Sequence, residues 1–336
     1  MTNKSILFTA TGVAELVEEA LPQIKDDEVL VRIERSTISA GTERANLIGD
    51  SNLRPDGSVP PFPRRSGYST AGIICAVGKN VTSRKVGDRV ACSWTVHSRY
   101  CAVRESRTYL LDDSISFGEG SLIHICTFPM AAIRKCRLEF GESAIVMGLG
   151  VLGLVTIEFL RLAGAYPIIA VDPVESKREQ ALTLGADYAL DPFAPDFANT
   201  VKEITGGGVN VAIEITGKGQ GLDMVLDCMK KFGRVALLGC TRNSDFSIDY
   251  YKKVHGPGIT LVGAHTVARP KQESSNGWWT EADDARAALN LIKGGRLDIK
   301  RLIEKVYSPT EAGEVYARLA KGSAFPIVQF DWSDIE

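Results

Sequence analysis

Ser143-Ala144-Ile145-Val146-Met147-Gly148-Leu149-Gly150-Val151-Leu152-Gly153 is the stretch that decides the fold. An apolar strand-like run enters a glycine-marked turn and leaves it in a helical pattern that continues to residue 163. Glycine triplets recur by chance, so the context carries the reading. Gly148 permits a tight turn out of the strand, Gly150 lets backbone approach a pyrophosphate, and Gly153 lets the new helix pack on the sheet. The helix N-terminus directs its free N–H groups and dipole at an anion, so Leu149, Val151 and Leu152 join the three glycines as cofactor contacts. A second apolar run, 168–171, ends at Asp172, 22 residues after Gly150. A carboxylate there accepts hydrogen bonds from both ribose hydroxyls of NAD and repels the 2′-phosphate of NADP. Lys177 and Arg178, a turn into the next helix, tolerate a phosphate, and Lys177 is counted with the cofactor contacts. The reading is therefore NAD by preference, with NADP the lesser partner.

Working outward, the alternation continues through 175–184, 209–215, 222–230, 234–238 and 259–262, enough strands for a doubly wound parallel sheet of Rossmann type in an α/β protein. Thr216 and Gly239 fall at carboxyl ends of such strands, where nicotinamide and its ribose belong. Before residue 143 the rhythm differs. Short β-type runs at 5–9, 28–35, 68–77 and 88–93 are separated by Pro, Gly, Asn and Asp clusters and read as a β-rich unit. Beyond 263 come helical patterns at 281–293 and 309–319, then a strand-like run at 325–330 able to pair back with the opening unit. His255 and His265 flank the last strand of the α/β part and receive no role.

The 336 residues, 44% hydrophobic and 24% charged with a net charge of -2, are enough for two cores. No basic run marks a nucleic-acid or anionic-membrane surface, and no apolar stretch approaches a membrane span. A small-molecule substrate is the expected partner. Met1 to Phe8 lacks the layout of a secretion signal, so a cytoplasmic location is expected. Seven scattered cysteines without a Cys-x-x-Cys pair fit neither a disulfide framework nor a four-cysteine zinc lobe.

The run Asp27-Glu28-Val29-Leu30-Val31-Arg32-Ile33, then Gly67 to Gly72, then Val86-Gly87-Asp88-Arg89-Val90 and the glycine fingerprint resemble, in order and spacing, successive landmarks of the medium-chain alcohol dehydrogenase superfamily. The resemblance covers nearly the whole chain. It implies a GroES-like catalytic and substrate domain, residues 1–126 and 264–336, with a Rossmann dinucleotide-binding domain, 127–263, inserted and a catalytic cleft at their junction. It also implies a homodimer or homotetramer. The family's Gly-Ile-Cys-Gly-Ser-Asp segment matches Ile38-Ser39-Ala40-Gly41-Thr42-Glu43, which puts Ala40 on the first zinc-ligand cysteine, Thr42 on the proton-relay hydroxyl and Glu43 on the acidic residue. Its Gly-His-Glu segment matches Gly67-Tyr68-Ser69, so Tyr68 replaces the histidine ligand, and Cys126 falls near the third. One thiolate cannot hold an ion that needs three protein ligands. No metal is expected. A rival set, Cys92, His97 and Cys101, lies where strand geometry turns alternate residues to opposite faces.

Without a Lewis acid, carbonyl chemistry still needs a proton donor and a stabiliser of the developing alkoxide. Tyr68 leads as polariser or acid, with the alternative that it fills the volume a metal vacated. Thr42 passes a proton, His97 is a candidate base or else a surface-loop histidine, and Glu43 takes a secondary place, as a group that pairs with Arg44 or Arg65. Arg65 suits a carboxylate or phosphate, and the Trp278 and Trp279 indoles suit the C–H face of a sugar or cyclitol ring, unless they are a solvated arginine and an interface cover. Three functions stay open at this stage. They are a zinc-independent NAD-linked oxidoreductase of a secondary alcohol or ketone on a polyhydroxylated or acidic molecule, a zinc-free reductase of activated C=C bonds or quinones, and a non-catalytic NAD-binding protein.

Overall fold

The computed structural model describes residues 2–244, 246–322 and 324–335; Met1 and Glu336, the outer limits of the domain assignment, lie outside them. The chain forms two compact units, one from residues up to Ile125 and from Ala285 onward, the other Cys126–Asp284.

The first unit begins with β1 (Thr2–Ala10), β2 (Val13–Ala20), β3 (Glu28–Thr37), α1 (Ala40–Ile48), β4 (Arg64–Arg65), β5 (Ser69–Val77), β6 (Arg89–Ser93), β7 (Tyr100–Arg104), β8 (Thr108–Leu110) and the short α2 (Phe117–Gly120). Helix α3 (Ile123–Lys135) leads into the second unit, which holds β9 (Ala144–Met147), α4 (Val151–Leu162), β10 (Ile168–Val171), α5 (Glu175–Thr183), β11 (Tyr188–Leu190), α6 (Phe197–Thr205), β12 (Val209–Glu214), α7 (Gly219–Asp227), β13 (Met229–Leu237) and β14 (Thr260–Gly263). Helix α8 (Glu281–Lys293) returns to the first unit, completed by β15 (Lys305–Tyr307), α9 (Ala312–Lys321) and β16 (Val328–Asp331).

In the second unit the strands run parallel in the order β11-β10-β9-β12-β13-β14, which counted within the unit is the Rossmann order 3-2-1-4-5-6. All four residues of β9 are buried, as expected of a parallel strand with both faces covered. In the first unit the sheet order is β15-β16-β3-β5-β6-β8, with β7 also on β3 and a separate β2-β1-β4 sheet. The 325–330 run does pair back: β16 lies antiparallel to β3 with Gln329 opposite Thr37. Ile6, Phe8, Val31, Ile33, Tyr316 and Phe330 lie in this unit's core.

The division between units falls after Asp284 rather than after residue 263. Segment 264–284 is tied to α3 by polar and cation–π contacts: Arg269 Nη2 donates to the Thr127 carbonyl at 3.1 Å, Arg134 Nε donates to Asp284 Oδ1 at 2.9 Å, and the Arg134 guanidinium stacks 3.5 Å from the Trp279 ring centroid. These contacts leave no apolar periodicity for a sequence reading to follow.

Candidate functional site

The second unit presents the nucleotide fingerprint. Gly148 turns at φ +100°, a conformation that favours glycine. A Cβ on Gly153 would stand 2.0 Å from the Gly148 carbonyl oxygen, so α4 can start against the turn only with glycine there. A Cβ on Gly150 would meet nothing within 4 Å, and Gly150 caps α4 without a side chain. The first-turn N–H groups of α4 thus adjoin open space, which suits a phosphate. Asp172 leaves β10 with both oxygens anchored: Oδ2 accepts from the Leu149 N–H at 2.9 Å and Oδ1 from the Val174 N–H at 2.9 Å. Each oxygen keeps acceptor capacity for a ribose hydroxyl. Lys177 is buried in the first turns of α5. Arg178, beside it, donates to the carbonyls of Asp172 and Pro173 at 2.8 and 2.9 Å, which brings a cation to the same strand end.

Thr216 and Gly239 meet at adjoining strand ends through Glu214, a residue given no role from the sequence. Glu214 Oε1 accepts from the Thr216 N–H at 2.8 Å and from its hydroxyl, Oε2 accepts from Gly217 N–H at 3.2 Å, and its carbonyl accepts from Gly239 N–H at 2.9 Å. Burial pushes its carboxyl up, opposed by these side-chain and backbone hydrogen bonds. The available signal was an acid at the carboxyl end of a parallel strand.

In the first unit a chain of polar contacts runs inward from Tyr68. Its phenol donates to Ser39 Oγ, which is available because Ser39 caps α1 without using its side chain. The Ser39 N–H donates to Glu43 Oε1 at 2.7 Å. Glu43 Oε2 faces His97 Nε2 at 3.0 Å and accepts from the Tyr316 hydroxyl. His97 Nδ1 lies 2.8 Å from Ser36 Oγ, which accepts from Trp332 Nε1 at 2.9 Å. Donors and acceptors close with the proton of His97 on Nε2, Ser36 then donating to Nδ1. Burial, then Glu43, holds the Tyr316 phenol well above its usual value.

Glu43 and His97 therefore come together, at 2% and 0% exposure, and His97 is not in a surface loop. Glu43 pairs with neither Arg44, which donates to the Ala320 carbonyl, nor Arg65. Thr42 stands apart on the exposed start of α1, its carbonyl accepting from Asn46. Ser39, not Thr42, meets the Tyr68 phenol, and nothing in the sequence distinguished the two hydroxyls. Around Tyr68 the ring of His124 lies edge-on at 5.5 Å and Trp94 tilts at 6.4 Å.

The donor set does not fit a resident zinc. Ala40 opens α1 without a donor side chain, Tyr68 is engaged with Ser39, and Cys126, fully buried with its thiol pushed up to about 12 by burial, cannot alone supply the three ligands a zinc needs. Cys101 is likewise raised to about 11 by burial. Among the described residues no three His, Cys, Asp or Glu side chains group to hold an ion.

Arg65 forms a two-pronged pair with Glu19 across strands, at 2.8 and 2.5 Å. Trp278 and Trp279 lie in the other unit, against Lys135 at 5.1 Å and Arg134 at 3.5 Å, so the structure does not gather the three in one unit.

The fold and fingerprint define a two-unit nucleotide-binding protein. Residues 25–137 match the model described as the alcohol dehydrogenase GroES-like domain, and 151–278 match that described as zinc-binding dehydrogenase. The chain is 26% identical to an L-threonine 3-dehydrogenase of Caldanaerobacter subterraneus subsp. tengcongensis, over 94% of this chain and 95% of that protein. It is 24% identical to the D-guloside 3-dehydrogenase of Escherichia coli (strain K12), over 93% and 95%. The crystal structure of benzyl alcohol dehydrogenase from Acinetobacter calcoaceticus shares the fold, with a TM-score of 0.85 at 22% identity and 98% and 99% coverage. The chain belongs to the medium-chain dehydrogenase/reductase superfamily, alcohol dehydrogenase-like. No helix among the described residues is long and apolar enough to cross a membrane.

Proposed function

We propose that the chain is a zinc-independent, NAD-linked dehydrogenase of a secondary alcohol on a polyhydroxylated small molecule. The observation that carries the reading is the open glycine cradle at Gly150 beside the anchored Asp172 carboxylate. Two relatives named for dehydrogenation at a 3-position, of L-threonine and of a D-guloside, support an alcohol as substrate. Nicotinamide, when bound, supplies hydride exchange. The chain's residues do the rest: Gly148–Gly153 and the start of α4 take the pyrophosphate, Asp172 the ribose, and Thr216 and Gly239 flank the nicotinamide end. Tyr68 turns its phenolic proton from Ser39 Oγ to the reacting oxygen and so stabilises the alkoxide as its charge develops, while the proton of the alcohol leaves to water. Glu43 and His97 orient the Ser39 segment and do not meet substrate. A cytoplasmic enzyme acting as a homodimer or homotetramer is the accompanying proposal.

Asp172→Ala tests the cofactor assignment. The expected result is a loss of NADH affinity with little change for NADPH, read by cofactor fluorescence; an unchanged NAD preference would show that this acid does not read the ribose.

A further inference from the structure

The second unit buries an ammonium group at the end of α3. Lys135, at the end of α3, is 8% exposed. Its ammonium donates to the Gly263 carbonyl at 3.1 Å and lies 5.1 Å from the centroid of the Trp278 ring, and among the described residues no carboxylate forms an ion pair with it. Asp284, fully buried, is already shared: Arg134 Nε donates to Oδ1 at 2.9 Å, and Arg269 Nη1 stands 3.7 Å from Oδ2. Arg269 is itself 6% exposed along its side chain. Two guanidinium groups thus share one buried carboxylate, and Lys135 feels that carboxylate only at longer range.

Two further side chains, Arg242 and His265, are exposed, His265 lying two residues beyond the Gly263 carbonyl that accepts from Lys135. Partial burial, then Arg242 and Lys135, lower the His265 imidazole; burial, then Arg269, lowers the Lys135 ammonium. A buried ammonium with one carbonyl acceptor is costly, and an oxyanion would supply the charge-assisted bonds it lacks. Gly263 ends β14, so this cluster stands at the carboxyl end of the parallel sheet, where α/β folds take ligands.

We infer that Lys135 and Arg269, rimmed by His265 and Arg242 and flanked by Trp278, form an oxyanion subsite for the carboxylate or phosphate of the substrate. This rests on the dehydrogenase reading and narrows its substrate to an anionic polyol. It also moves the anion-binding role away from Arg65, whose charge Glu19 already answers.

The test titrates inorganic phosphate and D-gluconate into the full chain at ionic strength fixed with chloride. Trp278 emission is the signal, with Trp278→Phe protein as blank and sorbitol as uncharged control. The expected result is a saturable response to phosphate, to gluconate or to both, the two arms separating a phosphate from a carboxylate, and none to sorbitol. Lys135→Met should weaken binding by about tenfold, one charge-assisted hydrogen bond, with Lys135→Arg restoring most of it. Should Lys135→Met fail to fold, Arg242→Ala and His265→Ala, both at exposed positions, should each weaken it by about threefold. A response no different from chloride, or wild-type affinity in the variants that fold, overturns the subsite. So does strict competition with NADH, which would assign these charges to the cofactor's own phosphates. NADH binding measured alongside separates the failures: without it the dehydrogenase reading falls, and with it but no anion response only the subsite does.

Discussion

Tyr68 occupies the position where the family resemblance places a histidine ligand, and its phenol donates to the Ser39 hydroxyl. If that phenol polarises the reacting oxygen, Tyr68→Phe should lower kcat on the order of 10² while KM moves little, because the lost hydrogen bond strengthens as charge develops. Steady-state NADH formation checks this, and wild-type kcat would reduce Tyr68 to a space-filling ring. Residue types at this site were legible in the sequence, but partners were not. Glu43 and His97 were both marked as chemical, yet their pairing spans 54 positions, and only the packing of α1 and the 94–99 loop against Tyr316 and Phe330 brings them together. Both are buried and satisfied by each other and their neighbours, which supports the proposed role of a frame for Ser39.

At the scale of elements, β9, α4 and β10 were legible because a parallel strand buried on both faces writes itself as an unbroken apolar run. Helix α1 was read only as a motif. Strand β2 escaped because Glu15, Glu18 and Glu19 interrupt it; it is an edge strand with Ala14 its one buried residue, held by pairing with β1 and by Glu19 with Arg65 on β4. Arg65 holds the Glu19 carboxyl below its ordinary value of 4.5, followed by opposing burial. A carboxyl lowered in the folded state adds stability that is present above the ordinary value and lost as pH falls through the lowered one. Arg65→Gln should therefore flatten the decline of the thermal midpoint below pH 4.5. An identical decline in variant and wild type would show that the pair does not couple β2 to β4.

For the molecule as a whole, the order of β and α/β patterns was readable, and the return of the last strand to β3 followed from its apolar run. The boundary at Asp284 was not, because segment 264–284 is fastened by cations on carbonyls and indoles, contacts that carry no period. The chemistry stands on a similar contrast: the nucleotide cradle is written in glycines and one acid, whereas the proposed zinc independence is legible only as donors that are missing. The most direct measurement is NADH formation from NAD by chelator-treated protein, with its metal content determined, across sugars, sugar acids and cyclitols. The expected result is oxidation of at least one of them at a rate that neither the chelator nor added zinc alters. Activity that tracks stoichiometric zinc, vanishing on its removal and returning on its addition, would contradict the account.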